Sequence, residues 1–483
     1  MKKLIASISM LGILLALLLA GCSLDAPSDP TGQVPPPTPD DANTPYAAIG
    51  NSLTAGYMES GLMKAGQANS YPMLIATQMG MAAGTFTQPW VEAPGIGSTN
   101  VGEGMVSGVL HFNGASIAPL GVTPDAEVPA LLLAAAQLTP YHNLGVPGAT
   151  VHDAMNAYDE DSSQDGVPFF NFINRVTLFG NTTVPQTETT PGYETASMFS
   201  QAIANGPALL TVWIGNNDAL GGALSGTPVV GGNITPPEVF EGEFRALLHS
   251  LAGGLAKRNG FAAKIVVAYT LGNDLPYFIP VDLFNQVIGG GWPWGFEEGA
   301  DVSLVTFPTL SWVQDEANLG SPIPGAASAT SGAATLTAAE LAIIEDAGTA
   351  YNASMETVVA EVNAGGMAQC VTFNTREYIS NWSAAEKTHF LFLLPTLGVE
   401  GAASTTLFSL DGIHPNNRGY GRVANGFIET INTAWPEDYA IPPVDEGALS
   451  WDPTYGVPIP AKTSATDSWI TPEAARVMGA IFR

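Results

Sequence analysis

Ser52 is the first residue whose setting suits chemistry, in the run Gly50-Asn51-Ser52-Leu53-Thr54-Ala55-Gly56 directly after the apolar stretch Tyr46 to Ile49. A serine at a strand-to-helix turn sits at the carboxyl edge of a parallel sheet, where open α/β proteins place their sites. The flanking glycines permit a turn tight enough to present the hydroxyl. Alone the pattern is weak, because serine beside glycine is ordinary turn chemistry. Far along the chain, Asp411-Gly412-Ile413-His414-Pro415-Asn416 precedes a helical stretch. A carboxylate three residues before a histidine can accept from Nδ1–H and leave Nε2 to take a serine proton. The plainer alternative is a capping Asp beside an exposed His. Two further turns offer donors. Gly215-Asn216-Asn217-Asp218 closes the run Leu209 to Ile214, and an Asn217 amide there can donate to a forming oxyanion. Asn143-Leu144-Gly145-Val146-Pro147-Gly148-Ala149-Thr150 offers the unobstructed backbone N–H of Gly148. For both, turn formation is a sufficient alternative reason for Asn and Gly.

Taken together, Ser52, Gly148, Asn217 and His414 occur in the order that names the SGNH, or GDSL-like, hydrolases, and the chain resembles that family. Asp411 lies three residues before the histidine, as in the family, and Ser70-Tyr71-Pro72-Met73-Leu74-Ile75-Ala76 is similar to its first helix. The resemblance implies a flavodoxin-like, three-layer α/β/α sandwich and a serine ester hydrolase. It implies Ser52 as nucleophile, His414 as general base and then acid, and Asp411 as the orienting acid. The implied oxyanion hole is the backbone N–H of Ser52 and Gly148 with the Asn217 amide. Two departures stand out. Asn51 occupies the place of the family's Asp, which is not a member of the triad. The intervals from 52 to 217 and from 218 to 411 are far longer than a minimal member needs.

Other polar runs have ordinary structural alternatives. Gly272-Asn273-Asp274 is similar to the Asn217 motif but lacks its spacer and follows a different strand. His152-Asp153 follows Gly148 too closely to come from a separate loop and reads as a helix start. His111, His142, His249 and His389 are scattered, without HExxH or clustered ligand spacing. No metal and no cofactor is expected.

These motifs need a sheet to hold them. Tyr46 to Ile49, Leu209 to Ile214, Lys264 to Tyr269 and Gln369 to Phe373 read as strands, and the spacing predicts helices over 71–79, 236–257, 338–362 and 419–434. Alternation of this kind implies parallel β-structure with crossover helices, an α/β fold. A hydrolase domain over 45–435 is expected, with insertions at about 83–135, 155–200 and 277–335, where Gly, Pro, Ser and Thr replace periodicity. The last of these carries Tyr277, Phe278, Phe284, Trp292, Trp294, Phe296, Phe307 and Trp312. Such rings can line a substrate groove or a lid, and equally can anchor a long loop to the core. Residues 436–483 are read as an extension packed on that core, with a short helix from Pro472 to Phe482.

Composition and the amino terminus set the compartment. The 483 residues include 44 acidic and 15 basic side chains, for a formal charge of −29. Charged residues make up 12%, against roughly 25% in ordinary soluble domains. The chain is acidic because it lacks bases, which weighs strongly against nucleic-acid partners, since these need a basic stripe. Met1-Lys2-Lys3, an apolar run from Leu4, and Leu19-Ala20-Gly21-Cys22 resemble a bacterial lipoprotein signal peptide over 1–21, with an ordinary cleaved signal or an uncleaved anchor helix as the alternative. Cys22 is then acylated, leaving Cys370 without a disulfide partner, and 22–44 reads as a proline-rich tether. With Ser23 after the cysteine, the expectation is a lipid-anchored envelope protein, on the outer membrane where a cell has two. The leading function is a lipase or esterase acting on a small-molecule or lipid ester through an acyl-enzyme on Ser52. Two alternatives stand beside it: an acetyl-ester deacetylase of glycans, and a surface lipoprotein using the fold as a binding scaffold.

Overall fold

The computed structural model describes residues 46–97, 104–114, 116–132, 141–170, 197–272, 275–288, 291–298, 301–313, 315–324, 335–450 and 470. The expected signal peptide, Cys22, the tether and the helix from Pro472 to Phe482 lie outside them.

Five strands form the central sheet: β1 (Tyr46–Gly50), β2 (Asn143–Gly145), β3 (Leu209–Trp213), β4 (Ala263–Ala268) and β5 (Ala368–Phe373). Their order is β2-β1-β3-β4-β5, and every neighbouring pair is parallel. This is the flavodoxin-like order, with its switch point between β1 and β3. Every residue of β1 and β3 is buried. Near-continuous apolar runs of this kind are what a parallel sheet covered on both faces requires.

The helices that cover or flank the sheet are α1 (Ser52–Ala55), α2 (Tyr71–Gln78), α3 (Val151–Asn156), α4 (Met198–Asn205), α5 (Asn217–Ser225), α6 (Pro237–Asn259), α7 (Ala338–Gly365), α8 (Phe390–Thr405) and α9 (Asn417–Ala434). α2 and α9 pack together on one face of the sheet, while α4, α6 and α7 cover the other. On the first face Tyr71 stacks on Phe427 at 4.5 Å, and Trp213 and Phe373 meet Phe427 edge-on. Phe427 is fully buried, which contributes about 1.5–3 kcal/mol relative to leaving it exposed. On the second face Phe240 stacks on Tyr351 at 4.1 Å, joining α6 to α7.

The long helices match their expected spans because their ends are chemically marked. Thr337 and Glu340 close a capping box on α7, and Gly260 ends α6 in the left-handed conformation. α8 was not expected. Pro395 lies inside it and Gly398 breaks its geometry at φ 66°, so the apolar period is interrupted where a reader would look for it.

The insertions carry small elements. Met105–Ser107 pairs antiparallel with Val122–Pro124, and Leu110–Phe112 with Ile117–Pro119. Phe278–Pro280, Leu304–Thr306 and Thr335–Leu336 form a three-stranded antiparallel sheet. Most of the aromatic side chains there are anchors. Tyr277 and Phe284 are buried, and Trp292 packs edge-on against Trp294 and Trp312 while donating to the Ser321 carbonyl at 2.7 Å. Phe278 alone among them borders the site described below; the Phe307 side chain lies outside the described residues. Past α9 the chain runs back along that helix, with Asn425 and Asn432 bonding the backbone of Val444 and Ile441. Among the described residues no helix is long and apolar enough to cross a membrane, and Cys370 is free and buried, its thiol pushed up to about 12 by that burial.

Candidate active site

Ser52 opens the single turn α1 immediately after β1. Asn51 caps it, its Oδ1 accepting from the Leu53 N–H at 3.1 Å. An oxygen at this position does the capping, as the family's Asp would, while the buried Asn51 Nδ2 has no hydrogen-bond partner among the described residues. The strand-to-helix junction is tight: a Cβ on Gly50 would strike Thr54 and the Trp213 carbonyl, and one on Gly145 would strike the backbone of Ala55. Asn143 reaches from β2 to the Thr54 carbonyl at 2.9 Å and ties this turn to the neighbouring strand.

Asp411 and His414 come from a loop across the sheet edge, 359 and 362 positions along the chain from Ser52. His414 Nε2 lies 2.9 Å from Ser52 Oγ, and His414 Nδ1 lies 2.9 Å from Asp411 Oδ2. All three side chains are buried. The geometry assigns the tautomer: Nδ1–H donates to the carboxylate, and Nε2 accepts from the serine. Asp411 Oδ1 also accepts from the backbone N–H of Ile413 and His414 at 2.8 and 2.9 Å, folding the loop around its own acid. Burial opposes ionisation of Asp411, but the charge of His414 and hydrogen bonds from His414 and Ser60 outweigh it, bringing the carboxyl down to about 2.

Two residues that hold this acid gave no signal in the sequence. Glu59 and Ser60 adopt φ 57° and 54°, a left-handed geometry that costs non-glycine residues of order 1–3 kcal/mol each. In that conformation the Ser60 N–H donates to Asp411 Oδ2 at 2.9 Å, and the Glu59 carboxylate accepts from the Leu410 N–H at 2.7 Å. Two strained residues thus hold the Asp411 carboxylate and the backbone of the residue before it. On the other flank, the Tyr57 ring rests against the His414 imidazole at 4.8 Å.

The two donor loops meet each other. Asn217, at the start of α5, donates through Nδ2 to the Ala149 carbonyl at 2.8 Å. That bond joins it to the turn where Gly148 sits at φ 86°, and leaves the second amide N–H of Asn217 for another acceptor. Ser52, Asn217 and His414 border a common cavity of about 60 Å³; Gly148 is not among its lining residues. Asp218 is buried behind Asn217 and accepts from the Val151 N–H at 3.0 Å.

Burial, aided by Asp153 and Glu243 and opposed by hydrogen bonds from Val151 and Thr235, lifts the Asp218 carboxyl to about 8. A raised folded-state value means folded protein holds a proton that unfolded protein has released. Its stabilising contribution is complete below about pH 3.9, the unfolded value, and is lost as pH rises through about 8. Asp218→Asn should therefore flatten the fall in Tm between pH 6 and 9; parallel curves for the two proteins would contradict this.

The remaining histidines all have partners elsewhere. His152 pairs with Glu243 at 2.7 Å, while Asp153 completes a capping box with Thr150 at the start of α3. His111 bonds the Ala118 carbonyl, His142 Thr87, and His249 Glu361. His389 is buried, donates through Nε2 to the Leu410 carbonyl at 3.0 Å, and is pushed down to about 4 by desolvation. Of Gly272-Asn273-Asp274, only Gly272 is among the described residues. Among those residues no group of three or more His, Cys, Asp or Glu side chains could hold a metal ion.

A search for similar curated proteins and solved structures finds no match. The family model described as GDSL-like lipase/acylhydrolase matches residues 46–427, a span that begins at β1, ends within α9 and contains every side chain of the site. The chain belongs to the GDSL-like lipase/acylhydrolase family of ester hydrolases.

Proposed function

We propose that this protein is a serine esterase that cleaves carboxylic esters through an acyl-enzyme on Ser52. The observation that carries the reading is the buried, unbroken run of hydrogen bonds Ser52–His414–Asp411, with 2.9 Å at each link. Ser52 Oγ attacks the ester carbonyl as His414 Nε2 takes its proton, and Asp411 stabilises the resulting imidazolium. Collapse of the tetrahedral intermediate expels the alcohol, which receives that proton from His414. Water then repeats the sequence on the acyl-serine, and the carboxylic acid departs. The oxyanion of both intermediates is held by the backbone N–H groups of Ser52 and Gly148 and by the free N–H of the Asn217 amide.

Hydrolysis of p-nitrophenyl acetate tests this reading: steady release of p-nitrophenol is expected, and none from folded protein would overturn it. Asn217→Ala should lower kcat by roughly 10²–10³, the usual effect of removing one oxyanion donor; an unchanged kcat would remove Asn217 from the hole.

The amino terminus supports a second element of the proposal, in which Cys22 is acylated and tethers the enzyme to the bacterial envelope. The basic start, apolar run and Leu19-Ala20-Gly21-Cys22 carry it. Cys22→Ala should move the protein from the membrane pellet to the soluble fraction, and retention in the pellet would contradict it.

A further inference from the structure

Two cavities meet beside Ser52. The small one, about 60 Å³, carries Ser52 and His414 and is walled by Leu53, Leu220 and Ala223. The second, about 830 Å³, shares Leu271, Gly272, Leu275 and Phe278 with the first. These four residues line both, so the two spaces adjoin.

Ile413 and His414 line only the small cavity, and the large cavity adjoins the stretch of loop that precedes them. Tyr277, between the shared residues Leu275 and Phe278, donates its N–H to the Gly412 carbonyl at 2.8 Å. His389, which also lines the large cavity, donates to the Leu410 carbonyl. The lining is thus fastened at two points to the segment that carries Asp411 and leads into His414. Leu220 and Ala223, by contrast, belong to the helix that starts at Asn217 and border only the small cavity.

Resting on the esterase reading, we propose that the small cavity receives the acyl group and the large cavity the alcohol portion of the ester. His414 hands its proton to the leaving oxygen, so that oxygen must face the histidine, and the alcohol continues into the space beside it. The small cavity offers about 60 Å³ and the large one about 830 Å³, so the small one takes the smaller part of the ester. The preferred acyl group is short. The large cavity sets the character of the alcohol. Ile279, Leu283 and Phe392 present apolar surface, while Asn374, Ser380 and Thr388 present hydrogen-bonding groups. Its charges balance: Arg376 and Lys387 stand against Glu345 and Glu377, with Arg376 paired to Glu345. The substrate class is a short-chain ester of a bulky, neutral, amphipathic alcohol.

Two substrate series separate the spaces. Along p-nitrophenyl acetate, butyrate and octanoate, kcat/KM should fall by about 100-fold, the scale on which a filled pocket rejects extra methylenes. Between ethyl acetate and 2-cyclohexylethyl acetate, whose leaving alcohols are similarly acidic, kcat/KM should rise by at least about tenfold, since each methylene withdrawn from water favours binding roughly fourfold. Leu283→Glu should lower the ratio of those two acetates by about tenfold. An octanoate cleaved as well as the acetate, equal rates on the two alkyl acetates, or a ratio unmoved by Leu283→Glu would each overturn the assignment while leaving the esterase standing. Absence of turnover on every ester, from folded protein, would overturn both.

Discussion

Ser52→Ala should lower kcat for p-nitrophenyl acetate by roughly 10⁶-fold, the scale of removing the nucleophile from a serine hydrolase. The replacement removes only Oγ, whose hydrogen-bond partner is His414 Nε2. The cap of the turn comes from Asn51, and the neighbouring strand is held by Asn143. Neither contact uses the serine hydroxyl, so the variant should fold and melt like the parent. His414→Ala should give a loss of the same order, and the double variant little more, because residues acting as one unit are not additive. Turnover within about tenfold of the parent by either single variant would remove that residue from the reaction.

Asp411→Asn should cost about 10⁴ in kcat, and the contacts of the carboxylate show why. Oδ2 accepts from both His414 Nδ1–H and the Ser60 N–H, while Oδ1 accepts from the Ile413 and His414 N–H groups. An amide can serve one pair only. With its NH₂ towards His414 it donates to Nδ1, forcing the proton onto Nε2, where the ring can no longer accept from Ser52. Turned the other way, it points N–H groups at two backbone N–H donors. A kcat within tenfold of the parent, from folded protein, would contradict the orienting role. Asp411 sits at about 2 in the folded chain, so it remains ionised across neutral pH. Its contribution to stability is present above about pH 3.9 and is lost as pH falls through about 2.

The sequence made the sheet and the candidate site side chains legible because both rest on local rules. Buried parallel strands need continuous apolar runs, which Tyr46–Gly50 and Leu209–Trp213 supply. The turns after them need glycine and asparagine, which mark Ser52, Gly148 and Asn217. What stayed hidden depends on contacts far apart in the chain. Glu59 and Ser60 hold a left-handed turn without glycine, and its bonds run to the Asp411 loop, some 350 positions away, and to Leu110. Asp218 reads as part of a turn motif until Val151 is seen bonded to it. The aromatic insertion was ambiguous for a similar reason, because rings that anchor and rings that line a site have the same composition. Phe278 borders both cavities while Tyr277 and Phe284 are buried in packing.

The central claim, that Ser52 is an activated nucleophile, is tested most directly by mass spectrometry after exposure to a fluorophosphonate. The reagent forms a stable phosphonyl ester only with a serine whose proton a neighbouring base removes. A single adduct on the peptide containing Ser52, lost in His414→Ala, is the predicted result. A folded protein that stays unlabelled, or carries its adduct on another serine, would contradict the account.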